Sequence, residues 1–394
     1  MARSIIVVCH SSQPWLGRCL ESAAEDADEV VLVDNGSPGE TASAVGRRAG
    51  VTVVRLPENV GFPGGVNRGL ERARGDVVAL LNDDAWCDPG WLDSAEKVLA
   101  DPAVAAVGPK VLFARPHAEI HLDEDPHFAP GDPRPLGRCL RRITVDGAEV
   151  PLASLYGQGL HQLEQGVGPD GVPGEWRWST GSGAIHVPLP GLEGAGEVVV
   201  DGEAVPVAAL VHPVNNAGSY LSSHGHGGDY GFLADPAQAG GLFDQPAERF
   251  AATGAALVAR ADTFRRIGGL AESFFAYYED TDWCWRARLA GLSIRYEPAG
   301  VVHHVGGAST GGPFAARVRF LAARNRIHML ARNAPLAAVR SELRSPVDRP
   351  PSGMALPLAG RVTRGLLERR RLARNWVRTS AEIWSEWAGR DERW

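Results

Sequence analysis

An α/β fold built on a mostly parallel central sheet is what the 394-residue chain predicts, and three observations carry that reading. Apolar β-branched runs alternate strictly with helix-like periods through the first 113 residues, joined by short connections. One of those runs, Val77 to Leu81, is unbroken and stops at Asn82-Asp83-Asp84, as a buried strand ending in acid does. The overall balance, 44% apolar and 22% charged, is that of an ordinary globular protein with core enough for two or three domains. Strict strand–helix alternation implies parallel strands with helices on both faces.

Taken in order, strands are expected at residues 4–10, 29–34, 51–56, 76–81 and 104–113, and helices at 15–24, 41–49, 66–74 and 90–100. Ligands of open α/β sheets gather at the carboxyl ends of the strands. Those ends carry His10-Ser11, Asp34-Asn35-Gly36-Ser37 and Asn82-Asp83-Asp84. Asp88-Pro89 looks like a helix cap and a first-turn proline, which leaves Asp83 and Asp84 without a structural task. Hard carboxylate oxygens there suit Mg²⁺ or Mn²⁺ carrying a diphosphate; the plainer alternative is a solvated loop acid. Asp-x-Asp triplets also occur at Asp26/Asp28, Asp123/Asp125 and Asp280/Asp282, so position after a buried strand is the signal, not the tripeptide.

The glycine-rich stretch from Asn59 to Gly69 lacks both the Gly-x-Gly-x-x-Gly spacing of a dinucleotide site and the Lys-Ser/Thr ending of a P-loop. That argues against a dehydrogenase or an ATPase. Its glycines permit close backbone approach to a ligand, with a helix starting at Val66 whose N-terminus faces a diphosphate, or they form a plain turn.

From residue 114 to about 249 the pattern changes to Gly, Pro and short alternating strands, with a hairpin signal at Val200-Asp-Gly-Glu203. This reads as a β-rich insertion. His117, His121 and His127 beside Asp123, Glu124 and Asp125 are too irregularly spaced for a metal site and read as a solvated loop. Strand and helix grammar returns at 253–260 and 263–267, followed by an aromatic run into Glu279, Asp280 and Asp282 at a helix start that ends at Gly291. One cap explains one acid, not three beside Tyr277 and Tyr278; clustered carboxylates near an apolar wall are how a general base is tuned upward. Strands at 293–297 and 300–304 end in His303-His304, of which only one can face a site, and His303 is the choice.

Charge is uneven. Residues 313–394 hold 17 Arg against seven acids, a net +10, which leaves −17 on the first 312. The net −7 disfavours a nucleic-acid partner. The tail reads as helices at 314–333 and 336–343 and a basic run at 361–378 with Leu and Trp. That run suits either an interfacial helix on anionic lipid or a helix packed on its own acidic body or a second subunit. No run is long enough for a signal peptide or membrane span, and five scattered cysteines form no Cys-x-x-Cys pair, so reduced thiols in a cytoplasmic protein are expected.

Together, Val31-Leu-Val-Asp-Asn-Gly-Ser37, Asn59 to Gly69, Leu80-Leu-Asn-Asp-Asp84, Thr253 to Arg260, Ile267-Gly-Gly-Leu, Phe274 to Arg288 and His303-His-Val-Gly-Gly resemble the family 2 inverting glycosyltransferases of GT-A fold, in the rhamnosyl- and galactofuranosyltransferase-like branch. The resemblance covers about residues 3–113 and 243–333. It implies a GT-A fold with a nucleotide-sugar half at 1–113, an unassigned insertion at 114–249, an acceptor and base half at 250–312 and a helical extension at 313–394. It implies that His10, Ser11, Asp34, Asn59, Gly61, Phe62, Gly65, Asn67, Asn82 and Asp83 line the nucleotide-sugar, that Asp84 and His303 hold Mg²⁺ or Mn²⁺, and that Asp280, with Glu279, is catalytic. The expected reaction moves a sugar from a dTDP- or UDP-donor, rhamnose or galactofuranose among them, to a glycan or lipid-linked acceptor in cell-wall or exopolysaccharide assembly. Peripheral contact with the inner face of the cell membrane and homo-oligomerisation are compatible partners. The alternatives are a non-catalytic sugar-nucleotide scaffold, a nucleotidyltransferase, which the near absence of lysine disfavours, or a glycosyltransferase of small-molecule natural products.

Overall fold

The computed structural model describes residues 1–10, 14–39, 45, 51–129, 131–191, 196–306, 316–344 and 355–391. Ser11 and, apart from Val45, the helix expected at 41–49 lie outside these. The chain forms two compact units, one of Met1–Leu112, Val214–Phe232 and Ala239–Trp394, the other of Phe113–Pro213 and Leu233–Gln238.

In the first unit β1 (Arg3–Cys9), β2 (Glu29–Asn35), β3 (Val51–Leu56) and β4 (Val77–Asn82) run parallel in the order β4-β1-β2-β3. Six of the seven residues of β1 are buried, because both faces of a parallel sheet are covered. The pleat divides them: Ile6 and Val8 pack with Val66 and Leu70 of α2 (Gly61–Arg72), whereas Ile5 and Val7 pack with Leu16 and Leu20 of α1 (Leu16–Asp26). Each fully buried Val, Ile or Leu contributes about 1.5–3 kcal/mol. Gly65 and Gly69 let α2 lie tight on β1, since a Cβ on either would come within 2.5 Å of Val8 or 2.4 Å of Ile6 methyl carbons.

Helix α2 starts at Gly61, five residues before the expected Val66, because the left-handed Gly61 already turns the chain into the helix. After β5 (Ala85–Cys87) comes α3 (Trp91–Leu99), and its cap is not Asp88. The carboxylate of Asp26, from the end of α1, accepts the Gly90 and Leu92 amides at 2.9 and 2.7 Å. Strand β6 (Val104–Phe113) then joins the same sheet.

The later part of the chain completes this sheet. Strand β7 (Val214–Asn216) pairs with β6, and a hairpin of β8 (Ser219–Leu221) and β9 (Gly227–Asp229) follows. Strand β10 (Ala247–Glu248) lies at the edge, and β11 (Ala256–Arg260) runs antiparallel between β4 and β6. Helices α4 (Ala261–Ile267) and α5 (Glu279–Leu289) lead to β12 (Ser293–His304), a single strand where two were expected. It pairs with β5 and sets His304 opposite Ala85. Four helices close the unit: α6 (Ala316–Asn333), α7 (Leu336–Arg344), α8 (Ala355–Leu372) and α9 (Ser380–Trp387). Much of the basic tail folds onto its own acidic body. Arg332 reaches the buried Asp282 at 2.7 Å, Arg361 donates to the Ser273 carbonyl at 2.6 Å, and Ile383 and Trp387 enter the core beside Phe250 and Trp285. Among the described residues no helix is long and apolar enough to cross a membrane.

The second unit is three small antiparallel sheets around Ala118, Ile120, Ile143, Val145, Val187 and Val198. The expected hairpin is there: Val198–Val200 pairs with Glu203–Val205 across Asp201 and Gly202, both at positive φ. His117 is buried on the strand His117–His121 and His121 bonds Glu119, so these two histidines belong to a sheet, whereas Asp123, Asp125 and His127 lie exposed beyond it, as a solvated loop does.

Candidate active site

The carboxyl ends of β1, β2 and β4 meet as the alternation required. At the end of β2, Asp34 is fully buried; its Oδ1 accepts the Ser37 amide at 3.0 Å and Arg55 Nε stands 3.8 Å from Oδ2. His10 Nδ1 lies 3.0 Å from the Asn35 carbonyl. The Asn35 side chain, not singled out from the sequence, is the hub here. Its Nδ2 donates to Asn59 Oδ1 and the Gly61 carbonyl, both at 3.1 Å, and its Oδ1 accepts the Val60 amide at 3.0 Å. Asn59 Oδ1 also takes the Gly61 amide at 2.8 Å. A side chain that satisfies one amide and one carbonyl of the next loop fixes where α2 begins. The signal available was its place directly after Asp34 at a strand end.

Two of the expected donor-lining residues have other work. Gly65 is the contact that seats α2 on Val8, and a glycine so enclosed presents nothing to a ligand. Asn67, midway along α2, exchanges bonds with the backbone of Leu270 at 2.9 Å each way and lines a surface cavity with Arg68, Arg265 and Glu272. Phe62 donates its amide to the Phe275 carbonyl at 2.8 Å, so the first turn of α2 is clamped to the loop before α5.

At the end of β4, Asp83 and Asp84 are both buried. Burial, then the neighbouring Asp84 charge, pushes the Asp83 carboxyl up to about 7. Asp84 Oδ1 stands 3.2 Å from His304 Nε2, which also lies 3.2 Å from Asn82 Nδ2. This corrects the expectation for His303. The pleat of β12 turns His304 toward Asp84, and His303 points the other way, stacked on Trp86 and 3.1 Å from Asp88. Burial disfavours a charged His304 ring, but Asp84, Asp83 and Asp229 outweigh it, so its pKa rises.

The donor set of a carboxylate and an imidazole fits a divalent cation in this position. Among the described residues no three His, Cys, Asp or Glu side chains gather closely enough to hold one alone. That is compatible with Mg²⁺ or Mn²⁺, which commonly take one or two protein ligands and complete their shells with phosphate oxygens and water.

The acids before and within α5 are sorted by their surroundings. Asp282 is fully buried; burial opposes its charge, yet Arg332 and Arg286 hold its carboxyl down at about 2, in an ion cluster that joins α5 to α6. Glu279 is 6% exposed, its Oε2 accepts no bond from a described residue, and burial with the nearby Asp280 pushes it up to about 8. Asp280 keeps more open surface: Oδ2 accepts the Gly254 amide at 2.7 Å and Oδ1 the Thr281 amide at 2.6 Å. Burial raises its pKa against those bonds.

The loop that delivers this pair is strained. Phe275, Tyr277 and Tyr278 all have φ near +70°, where side chains with a Cβ are disfavoured, at a cost of order 1–3 kcal/mol each. Asn325 of α6 holds it. Its Nδ2 lies 3.0, 2.7 and 2.8 Å from the carbonyls of Phe274, Ala276 and Tyr277. The hairpin β8–β9 reaches the same place, with Gly227 donating its amide to Tyr278 Oη at 3.3 Å and Asn215 Oδ1 3.2 Å from His304 Nδ1. Residues 214–232 therefore contribute to the site, although their irregular, Gly-rich composition concealed it.

A parallel sheet with acids at its carboxyl edge and a mixed second half that returns a histidine and an acid to that edge is the GT-A type of glycosyltransferase fold. The structure superposes on that of GalNAc-T7, solved with UDP, GalNAc and Mn²⁺, with a TM-score of 0.56 at 12% identity, covering 98% of this chain and 56% of that one. Residues 4–145 match the Glycosyl transferase family 2 model, and the chain is a glycosyltransferase. The uncharacterized glycosyltransferase YwdF of Bacillus subtilis is 25% identical over 262 residues, 64% of this chain and 88% of its own length. The pre-mycofactocin glycosyltransferase of Mycobacterium tuberculosis is 35% identical over 85 residues, which are 21% of this chain and 18% of that protein.

Proposed function

We propose that the enzyme transfers a sugar from a nucleoside-diphosphate donor to an acceptor hydroxyl by a single displacement that inverts the anomeric carbon. The observation that carries this is the meeting of the two halves of the chain: Asn82 and Asp84 at the end of β4 touch His304, 222 residues downstream of Asn82, on the unit that also holds Asp280. Asp34, with the Asn35–Asn59 hub and His10, takes the nucleotide. Asp84 and His304 would hold Mg²⁺ or Mn²⁺, which when bound offsets charge on the leaving diphosphate.

An acceptor hydroxyl with a pKa of about 15 is a poor nucleophile. As its oxygen forms the bond to C1, its proton passes to the Asp280 carboxylate, a contribution of ~10² to 10⁴ in rate. The bond from C1 to the β-phosphate oxygen breaks and the electron pair leaves with the nucleoside diphosphate. Burial and the neighbouring Asp280 charge push the Glu279 carboxyl up, which favours ionisation of Asp280 over Glu279.

The donor is a dTDP- or UDP-sugar, with rhamnose and galactofuranose the first to try, and the acceptor a glycan or lipid-linked saccharide of cell-wall or exopolysaccharide assembly. The exposed Arg370, Arg371 and Arg374, beside Leu367 and Val377, serve as a contact with anionic lipid. Incubation with a panel of UDP- and dTDP-sugars and Mn²⁺, read as release of nucleoside diphosphate, tests the activity. Asp280→Asn is expected to lower kcat at least about a hundredfold with donor binding kept; near-normal turnover would remove Asp280 from the role.

A further inference from the structure

We infer that Asp229, on the hairpin strand β9, is the residue that binds an acceptor hydroxyl beside the base. This deepens the transferase reading and rests on it. Asp229 lies in a stretch otherwise read as an insertion, and three sets of bonds bring that stretch to the site. Asn215 meets His304 at 3.2 Å, Gly227 meets Tyr278 Oη at 3.3 Å, and Asn216 donates to Asp229 Oδ1 at 2.7 Å. The carboxylate is thus strung between the metal-side histidine and the loop that presents Asp280.

Its two oxygens are treated differently. Oδ1 accepts Asn216 Nδ2 and, at 3.3 Å, Ser219 Oγ, and Asn216 Oδ1 in turn accepts the Gly218 amide at 2.8 Å. Oδ2 accepts no bond from a described residue, and the side chain is exposed. A carboxylate held rigidly by one oxygen and open at the other is a preorganised acceptor for a sugar hydroxyl, and such charge-assisted bonds are the stronger kind. Asp229 feels the charges of both Asp280 and His304. A structural acid would spend both oxygens on the fold, as Asp282 does on Arg286, Arg332 and Asn333.

The test uses the full chain, the donor that turns over in the panel, and p-nitrophenyl glycosides as acceptor probes, with two readouts. Asp229→Asn keeps the shape and an oxygen for Asn216. It should raise the KM for the glycoside about ten- to a hundredfold, while hydrolysis of the donor in the absence of glycoside stays within about twofold. An unchanged glycoside KM overturns the proposal. So does loss of donor hydrolysis in step with transfer, which would make Asp229 part of the donor site or the fold. Saturation-transfer NMR of glycoside binding needs no turnover. Contacts seen with wild type and lost in Asp229→Asn support the assignment even if no donor in the panel reacts, an outcome that would instead count against the transferase reading; equal contacts in both proteins overturn it.

Discussion

One residue decides how the two halves of the site are joined. His304 and His303 are adjacent and chemically identical, yet the pleat gives Asp84 to one and Asp88 to the other. His304→Ala should weaken Mn²⁺ binding at least about tenfold in a titration followed by electron paramagnetic resonance. His303→Ala should leave it within about twofold. If the two variants behaved alike, Asp84 and His304 would not be the cation's ligands. The sequence could say that one histidine faces inward, because alternation is a property of strands. It could not say which, because strand phase depends on where β12 starts pairing with β5, and that pairing is a tertiary fact.

At the scale of elements, the strands and helices of the first hundred residues were legible because apolar periodicity and burial are the same information there. Every strand end named in the first 113 residues is a strand end in the structure, within a residue or two. What was hidden is what depends on partners distant in the chain. Asp26 caps α3 in place of Asp88, Asn67 serves a loop two hundred residues away, and residues 214–232 leave the insertion to join the main sheet. Helix α6 is the largest such case. The sequence predicted a helix there and nothing of its contacts, but Asn325 Nδ2 reaches three carbonyls of the strained loop before α5. Asn325→Ala removes the side-chain donor from the Ala276 and Tyr277 carbonyls, while Phe274 keeps Arg324, a penalty of about 1–3 kcal/mol in urea unfolding. Because the loop presents Asp280, kcat should fall at least about tenfold as well, with donor affinity kept. A destabilised variant with normal kcat would show that Asn325 holds the fold and not the site.

For the molecule as a whole, the basic tail is spent partly on the acidic body, at Asp282, and partly on its own acids, Glu342 and Glu368. What remains outside is a smaller face on α8 and the turn after it, where Arg370, Arg371 and Arg374 are exposed near Leu367 at 58% and Val377 at 80%. Each basic residue near an anionic leaflet adds about 1 kcal/mol, so changing all three arginines to alanine should weaken binding to phosphatidylserine liposomes by roughly a hundredfold at low salt. Flotation unaffected by the triple change would refute the membrane contact and leave the tail as packing alone.

The strained turn at Phe275, Tyr277 and Tyr278 also sets an order of events during synthesis. A ribosome releases the acids of α5 well before it releases Asn325, Arg332 and Asn333, and until those arrive the turn has no reason to hold left-handed conformations and Asp282 has only Arg286 for company. The loop that carries Asp280, the base proposed above, is held by Asn325 of α6, so a chain ending at residue 312 is expected to bind donor without turning it over.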